Sequence, residues 1–160
     1  MAIEIEHKYL VKAGLWHPDG AGQVYRQGYL SSAKDRVVRV RIAGDRGFLT
    51  IKGSSDGLSR LEFEYPVPLA DAAVMLDTLC ERPIIEKTRH REMFAGRLWE
   101  IDVFHGDNDG LIVAEVEVAD AADIVIPPPW AGLEVSDDPR YFNNNLAGKP
   151  FKTWSPVHMG

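Results

Sequence analysis

Short segments in which charged and apolar residues alternate strictly recur along almost the whole of this chain. The first is Ile3-Glu4-Ile5-Glu6-His7-Lys8-Tyr9. Successive side chains of a strand point to opposite faces, so this spacing puts Glu4, Glu6 and Lys8 on one face and Ile3, Ile5, Tyr9 and Val11 on the other. Val38 to Ile42 presents Arg39 and Arg41 in the same way, and Leu49 to Lys52 presents Lys52. Arg60 to Tyr65 presents Arg60, Glu62 and Glu64, and Lys87 to Arg91 presents Lys87, Arg89 and Arg91. Trp99 to Val103 presents Glu100 and Asp102, and Ala114 to Val118 presents Glu115 and Glu117. Gln23 to Ser31 reads as a further strand, with Tyr25, Gln27 and Tyr29 on one face and Val24, Arg26 and Leu30 on the other.

A set of amphipathic strands with wet charged faces is the plain reading. It is weakened by how the charges are sorted, because cations and anions segregate by strand whereas a solvated face mixes signs. Arginine outnumbers lysine among these cations, and its planar fork suits bidentate contacts with phosphate or carboxylate. The residues between the charges are Ile, Val, Phe and Trp, bulky enough to need burial. About eight strands is also the size at which a sheet closes around one small ligand. The expected fold is α+β, mainly β: an eight-stranded antiparallel closed barrel with a charged interior, and helices packed on its apolar outside.

Turn signals fall between the strands. Ala43 to Gly47, Gly53 to Gly57 and His105 to Gly110 read as hairpin connections, the last being more a turn than an incomplete calcium loop. Between Pro68 and Pro83, Leu69, Ala72, Ala73, Leu76, Leu79 and Cys80 share one helical face. Residues 119–126 read as a short helix, followed by Pro127-Pro128-Pro129. A last helix is expected from Ser136-Asp137-Asp138-Pro139 to Gly148. Residues 1–160 form a single domain in this reading, and 45% apolar content suffices for a core.

Composition narrows the function. A net charge of −6 disfavours nucleic acid as a partner, and no stretch reaches the length of a membrane span. The charged start does not read as a signal peptide. The single cysteine, Cys80, cannot form an intrachain disulfide and fits a reducing cytoplasm. No histidine spacing suits zinc. Trp16, Trp130 and Trp154 face either a partner subunit, as in a homodimer, or the protein's own core.

An interior that holds Glu4, Glu6, Glu62, Glu64, Glu100, Asp102, Glu115 and Glu117 beside Lys8, Arg39, Arg41, Lys52, Lys87, Arg89 and Arg91 must be paired, hydrated or occupied by ions. Carboxylates without Cys or His suit a hard cation, Mg²⁺ or Mn²⁺. The cations suit a small oligoanion, and a polyphosphate with bound metal uses both sets at once. No GxxxxGK[ST] loop, GxGxxG or Ser/His/Asp arrangement occurs, so the expected chemistry is direct attack of water. Lys8, expected among cations that lower its pKa, is a candidate to activate that water, with Tyr29 beside it; Lys8 reads equally well as a phosphate-binding cation.

Glu4-x-Glu6-x-Lys8, followed in order by Arg39/Arg41, Glu62/Glu64, Lys87/Arg89 and Glu115/Glu117, resembles the signature of the CYTH superfamily, the triphosphate tunnel metalloenzymes. Trp130 to Ser136 and Tyr141 to Ala147 resemble its short bacterial members. The resemblance implies an eight-stranded tunnel, with the helix of Tyr141 to Ala147 plugging one end. It implies metal binding or water positioning by Glu4, Glu6, Glu115 and Glu117 with Glu62, Glu64 or Asp102. Triphosphate binding then falls to Lys8, Arg39, Arg41, Lys52, Lys87 and Arg89, while Arg91 and Glu100 match no family role. The implied activity is hydrolysis of inorganic tripolyphosphate to pyrophosphate and phosphate. The alternatives are a class IV-type adenylate cyclase, a thiamine or nucleoside triphosphatase, and a non-catalytic polyphosphate-binding module.

Overall fold

The structure, a computed structural model, describes residues 3–12, 14–54 and 58–154. Every segment with alternating charge forms a strand: β1 (Ile3–Val11), β2 (Gln23–Ala33), β3 (Arg36–Ala43), β4 (Arg46–Lys52), β5 (Ser59–Val67), β6 (Ile85–Phe94), β7 (Arg97–Phe104) and β8 (Ile112–Glu117). All neighbours pair antiparallel in the order β5-β4-β3-β2-β6-β7-β8-β1. The ring closes where Ile3, Glu4 and Ile5 of β1 pair with Leu61, Arg60 and Ser59 of β5. Closure leaves no free edge in the ring, so a cavity at its centre has walls of fixed spacing. A ninth strand, β9 (Ala131–Glu134), lies beside the end of β1 at Tyr9 and Val11. It is too short to show as an alternating segment.

The apolar residues between the charges point outward under two covering structures, and a third covers an apolar layer inside one end of the ring. Helix α1 (Leu69–Thr78) packs Ala72 and Leu76 with Cys80 against Val40, Ile42 and Leu49. Two glycines on the outer face let it come close: a Cβ at Gly47 would stand 2.9 Å from Ala72 Cβ, and one at Gly28 would stand 2.9 Å from Cys80 Cβ. Leu76 is fully buried, worth roughly 1.5–3 kcal/mol of apolar transfer. The buried face of α1 is narrower than expected, since Leu69 and Leu79 remain exposed. Across the ring Tyr9, Trp99, Ile101, Ala114 and Val116 are covered by Trp16 and Trp130 from the connecting segments. Trp99 packs at 5.4 Å from Tyr9 and 5.6 Å from Trp130, so these tryptophans belong to the protein's own core.

The third covering structure closes one end of the barrel. The expected helix from Ser136 to Gly148 is broken: a 3₁₀ turn at Pro139–Tyr141 is followed by extended Phe142 and then α2 (Asn143–Gly148). Asp138 caps the turn by accepting from the Arg140 N–H, and Phe142 resets the direction before α2 begins. Tyr141, Leu146 and Ala147 pack on Tyr29, Val37, Ile85, Phe104 and Val113, an apolar layer inside this end of the ring. Trp154 joins it, 5.2 Å from Tyr141.

Residues 119–126 are not helical. Asp120 accepts from the Ala122 N–H, and Asp123 accepts from the Asp120 N–H, so side chains take the donors a helix would use. The His105–Gly110 connection is a turn with a short 3₁₀ segment at Gly106–Asn108. Residues 55–57 of the expected Gly53–Gly57 turn lie outside the described residues. Among the described residues no helix is long and apolar enough to cross a membrane.

Candidate active site

Alternation carries the charged face of each strand into one central cavity of about 460 Å³. Glu4, Glu6, Lys8, Tyr29, Arg39, Arg41, Lys52, Glu62, Glu64, Lys87, Arg89, Glu115 and Glu117 line it, as do Arg91 and Glu100. Asp102 stands behind this lining. It is 1% exposed and both its oxygens are taken: Arg89 grips it through Nε at 2.7 Å and Nη2 at 2.8 Å, and Lys87 Nζ lies 2.8 Å away.

The cations of β3 and β6 form one side, with the neutral inner face of β2 between them. Tyr25, from β2, lies between two guanidinium groups, with Arg41 4.8 Å and Arg89 4.9 Å from its ring centre. Its hydroxyl accepts from Arg91 Nη2 at 2.8 Å. Buried Gln27 accepts from Arg41 Nε at 2.9 Å, and Thr50 accepts from Arg39 Nη2 at 3.3 Å. Neutral partners thus orient Arg41 without cancelling its charge, whereas Arg89 and Lys87 also carry the Asp102 pair. Burial and the neighbouring Arg39 and Arg89 push the Arg41 pKa down to about 9. Lys87 falls to about 7 because it is fully buried and Arg89 and Arg41 outweigh part of what Asp102 restores. Among the described residues Arg39 Nε is buried with no hydrogen-bond partner. Each of these effects is relieved by an anion in the cavity.

Lys8 differs from what the sequence implied, for its neighbours are anions. Glu115 lies 3.4 Å from Nζ, the Tyr141 carbonyl accepts from it at 3.4 Å, and Phe142 offers its ring face at 5.3 Å. Burial opposes the charge, but Glu115 and Glu6 outweigh it and hold the Lys8 pKa above the ordinary range. Tyr29 receives a hydrogen bond from Gln27 Nε2 at 3.3 Å rather than from Lys8.

The acidic side is built by β1, β5 and β8, and there carboxylates meet one another. Burial pushes Glu62 up to about 7, and its hydrogen bond with Glu4 adds to the shift. Burial, then Glu115 and Glu4, drives Glu6 well above the carboxylate range, while burial and Glu4 raise Glu117. Lys52 supplies the nearest positive charge, 3.1 Å from Glu4 and 3.5 Å from Glu62. Among the described residues no three acidic side chains close around one point; they meet in pairs. A hard divalent cation fits such pairs chemically. Mg²⁺ in particular is commonly held by one or two carboxylates with water and substrate phosphate completing its shell.

Sequence alone left four parts of this site unassigned. Tyr25 and Gln27 were legible as inward-facing but carried no role, since they have no charge of their own. Thr50, within the Leu49–Lys52 strand, and Asn143, within the Tyr141–Ala147 plug, carried no role of their own. Asn143 Oδ1 accepts from Lys87 Nζ at 2.9 Å and from Gln27 Nε2 at 3.2 Å, tying the plug to the cationic side.

This chain is 46% identical over 154 residues to an inorganic triphosphatase of Acetivibrio thermocellus, covering 96% of this chain and 99% of the relative. It is 42% identical over 150 residues to an inorganic triphosphatase of Nitrosomonas europaea, covering 90% and 96%. A crystal structure of an inorganic triphosphatase matches with a TM-score of 0.64 and 36% identity, over 92% of this chain and 95% of that one. The CYTH domain family model matches residues 2–142, and by these matches and the shared tunnel architecture the chain belongs to the CYTH domain family.

Proposed function

We infer that this protein is an inorganic triphosphatase that uses a divalent cation, Mg²⁺ or Mn²⁺, to hydrolyse tripolyphosphate to pyrophosphate and phosphate. The observation that carries the reading is one cavity with crowded, buried cations on one side and proton-sharing carboxylates on the other. The near full-length similarity to two inorganic triphosphatases supports it. In this reading residues 1–160 form one tunnel domain, and the free Cys80 fits the cytoplasm.

Glu4, Glu6, Glu62, Glu115 and Glu117 are the residues that would hold the cation. When bound, it neutralises charge on the phosphate oxygens and brings them toward the acidic side. Arg39, Arg41, Lys52 and Arg89 hold the triphosphate with charge-assisted hydrogen bonds, as does Lys87 while it is protonated. Asp102 acts by positioning Arg89 and Lys87, since its oxygens are already taken. Glu64 accepts from Thr50 at 2.9 Å and stands 3.5 Å from Arg39, so it holds that guanidinium in place.

Hydrolysis forms a bond from water oxygen to a terminal phosphorus and breaks that phosphorus's bond to the bridging oxygen, releasing pyrophosphate. The attacking water must lose a proton. Lys8 is held charged by Glu115 and Glu6, which makes it a phosphate clamp. Lys87 is the better acceptor: with its pKa lowered to about 7, about half of it is neutral at pH 7, and in that form its amine gives one N–H to Asp102 and one to Asn143, which leaves its lone pair free. Tyr29, at the same end of the cavity, completes this region of the wall.

A phosphate-release screen with Mg²⁺ and with Mn²⁺ across tripolyphosphate, pyrophosphate, ATP and thiamine triphosphate tests the reading. Tripolyphosphate is expected to be turned over fastest, and pyrophosphate not at all. Cyclic AMP from ATP without phosphate release would make the protein a cyclase. Tight binding of tripolyphosphate with no turnover of any compound would make it a binding module.

A further inference from the structure

We propose that Asn143, at the plugged end of the tunnel, is a substrate-binding residue whose amide nitrogen donates to the terminal phosphate of the bound anion. This rests on the triphosphatase reading and adds the plug to the machinery that holds the substrate. Arg41 Nε always donates, which commits Gln27 Oε1 as its acceptor and Gln27 Nε2 as a donor. The Asn143 atom that Gln27 Nε2 meets, also 2.9 Å from Lys87 Nζ, must then be the carbonyl oxygen. The same oxygen accepts from Gln27 Nε2 at 3.2 Å, and Gln27 in turn is fixed because its Oε1 accepts from Arg41 Nε. Two buried donors from two strands therefore fix how the Asn143 amide faces.

Its Nδ2 is then the branch left over. That atom has no hydrogen bond among the described residues, and Asn143 lines the cavity together with Phe142 and Asn144. A neutral double donor suits this place. Lys8 already supplies positive charge to this end, and Lys8 and Lys87 are both tied to the plug, through the Tyr141 carbonyl and Asn143 Oδ1. Beyond them lies the apolar layer of Tyr29, Val37 and Ile85, so phosphate can penetrate no further. The donor thus meets the outermost oxygens of a chain that has reached the stop.

Two variants separate binding from folding. Asn143→Asp keeps the acceptor for Lys87 and Gln27 but loses the donor, whereas Asn143→Ala loses both. Both are expected to raise KM for tripolyphosphate by roughly tenfold or more, the usual cost of a hydrogen bond to a charged group. The aspartate variant should keep a near wild-type melting temperature, and its excess KM should persist at high salt, where plain charge repulsion is screened. An unchanged KM in either variant would overturn the proposal and leave Asn143 as a strut for Lys87. Calorimetric binding of tripolyphosphate with Mg²⁺ to the wild type is the control: failure there sinks the triphosphatase reading itself.

Discussion

The two sides of the tunnel hold their charges in opposite ways. On the cationic side neutral groups share in orienting the arginines, Tyr25 between Arg41 and Arg89, Gln27 on Arg41 and Thr50 on Arg39, while Asp102 and Glu64 anchor Arg89 and Arg39. On the acidic side the carboxylates lean on one another, Glu62 on Glu4 and Glu6 beside Glu115, and part of their charge is suppressed by protons. One side is prepared in advance for an anion, its cations outnumbering the carboxylates that hold them. The other is completed by whatever cation displaces the protons. A site built this way binds its two ions together, since each supplies the charge the opposite side lacks.

Removing a carboxylate tests the acidic side most severely. Glu6→Ala or Glu117→Ala is expected to reduce kcat/KM with Mg²⁺ by about a hundredfold or more, since the cation's charge stabilisation is worth several kcal/mol. EDTA should abolish phosphate release from the wild type, and added Mg²⁺ or Mn²⁺ should restore it. If Glu6→Ala and Glu117→Ala keep wild-type turnover and the same Mg²⁺ dependence, the acidic side has no metal role.

The cationic side should respond in KM. Arg41→Ala is expected to raise KM for tripolyphosphate by roughly tenfold to a hundredfold, one charge-assisted contact. Tyr25→Leu sharpens the point because it removes no charge. It should raise KM by several-fold through the loosening of Arg41 and Arg89, whereas Tyr25→Phe should disturb only Arg91. Equal KM values for Tyr25→Leu and wild type would show that the arginines need no neutral scaffold.

The lysines divide along the same line. Lys8→Arg preserves a charge that Glu115 and Glu6 already enforce, so kcat should fall little. Lys87→Arg puts a group that cannot lose its proton where the amine titrates near pH 7, and kcat should fall about tenfold or more with KM nearly unchanged. In the wild type kcat/KM, which follows the free enzyme, should climb through neutral pH as Lys87 deprotonates. The reverse ranking of the two variants would return the base to Lys8.

What could be read in the sequence follows the same division. Strand alternation exposed the closed barrel and the inward charges because period two is enforced at every residue of a strand. Arg39 and Glu62 announce themselves by charge. Tyr25, Gln27 and Asn143 do not, because a neutral side chain that orients a cation looks like any packing residue until the neighbouring strand is in place. The sign of a lysine's environment was hidden for a similar reason. Lys8 follows two glutamates on its own strand, yet its partner Glu115 comes from β8 and its Tyr141 contact from the plug. The broken C-terminal helix and the irregular 119–126 segment were missed because Asp120, Asp123 and Asp138 side chains compete locally for backbone N–H groups.

The smallest expected effect is on stability, and there the two sides pull in opposite directions with pH. Glu62 has a folded pKa near 7 against an ordinary 4.5. Between those values the folded protein keeps a proton that the unfolded chain has lost, so stability falls as pH rises toward neutral. Lys87 has a folded pKa near 7 against an ordinary 10.5. Between those values the unfolded chain binds the extra proton, so stability rises again as pH increases above neutral. The melting temperature without metal should therefore pass through a shallow minimum near pH 7. Glu62→Gln should flatten its acid arm and Lys87→Met its alkaline arm. Mg²⁺ should raise the melting temperature more at about pH 8 than at about pH 5.5, because the cation must displace the protons held between carboxylates. A metal effect independent of pH would show that the raised carboxyls are not the groups that bind it.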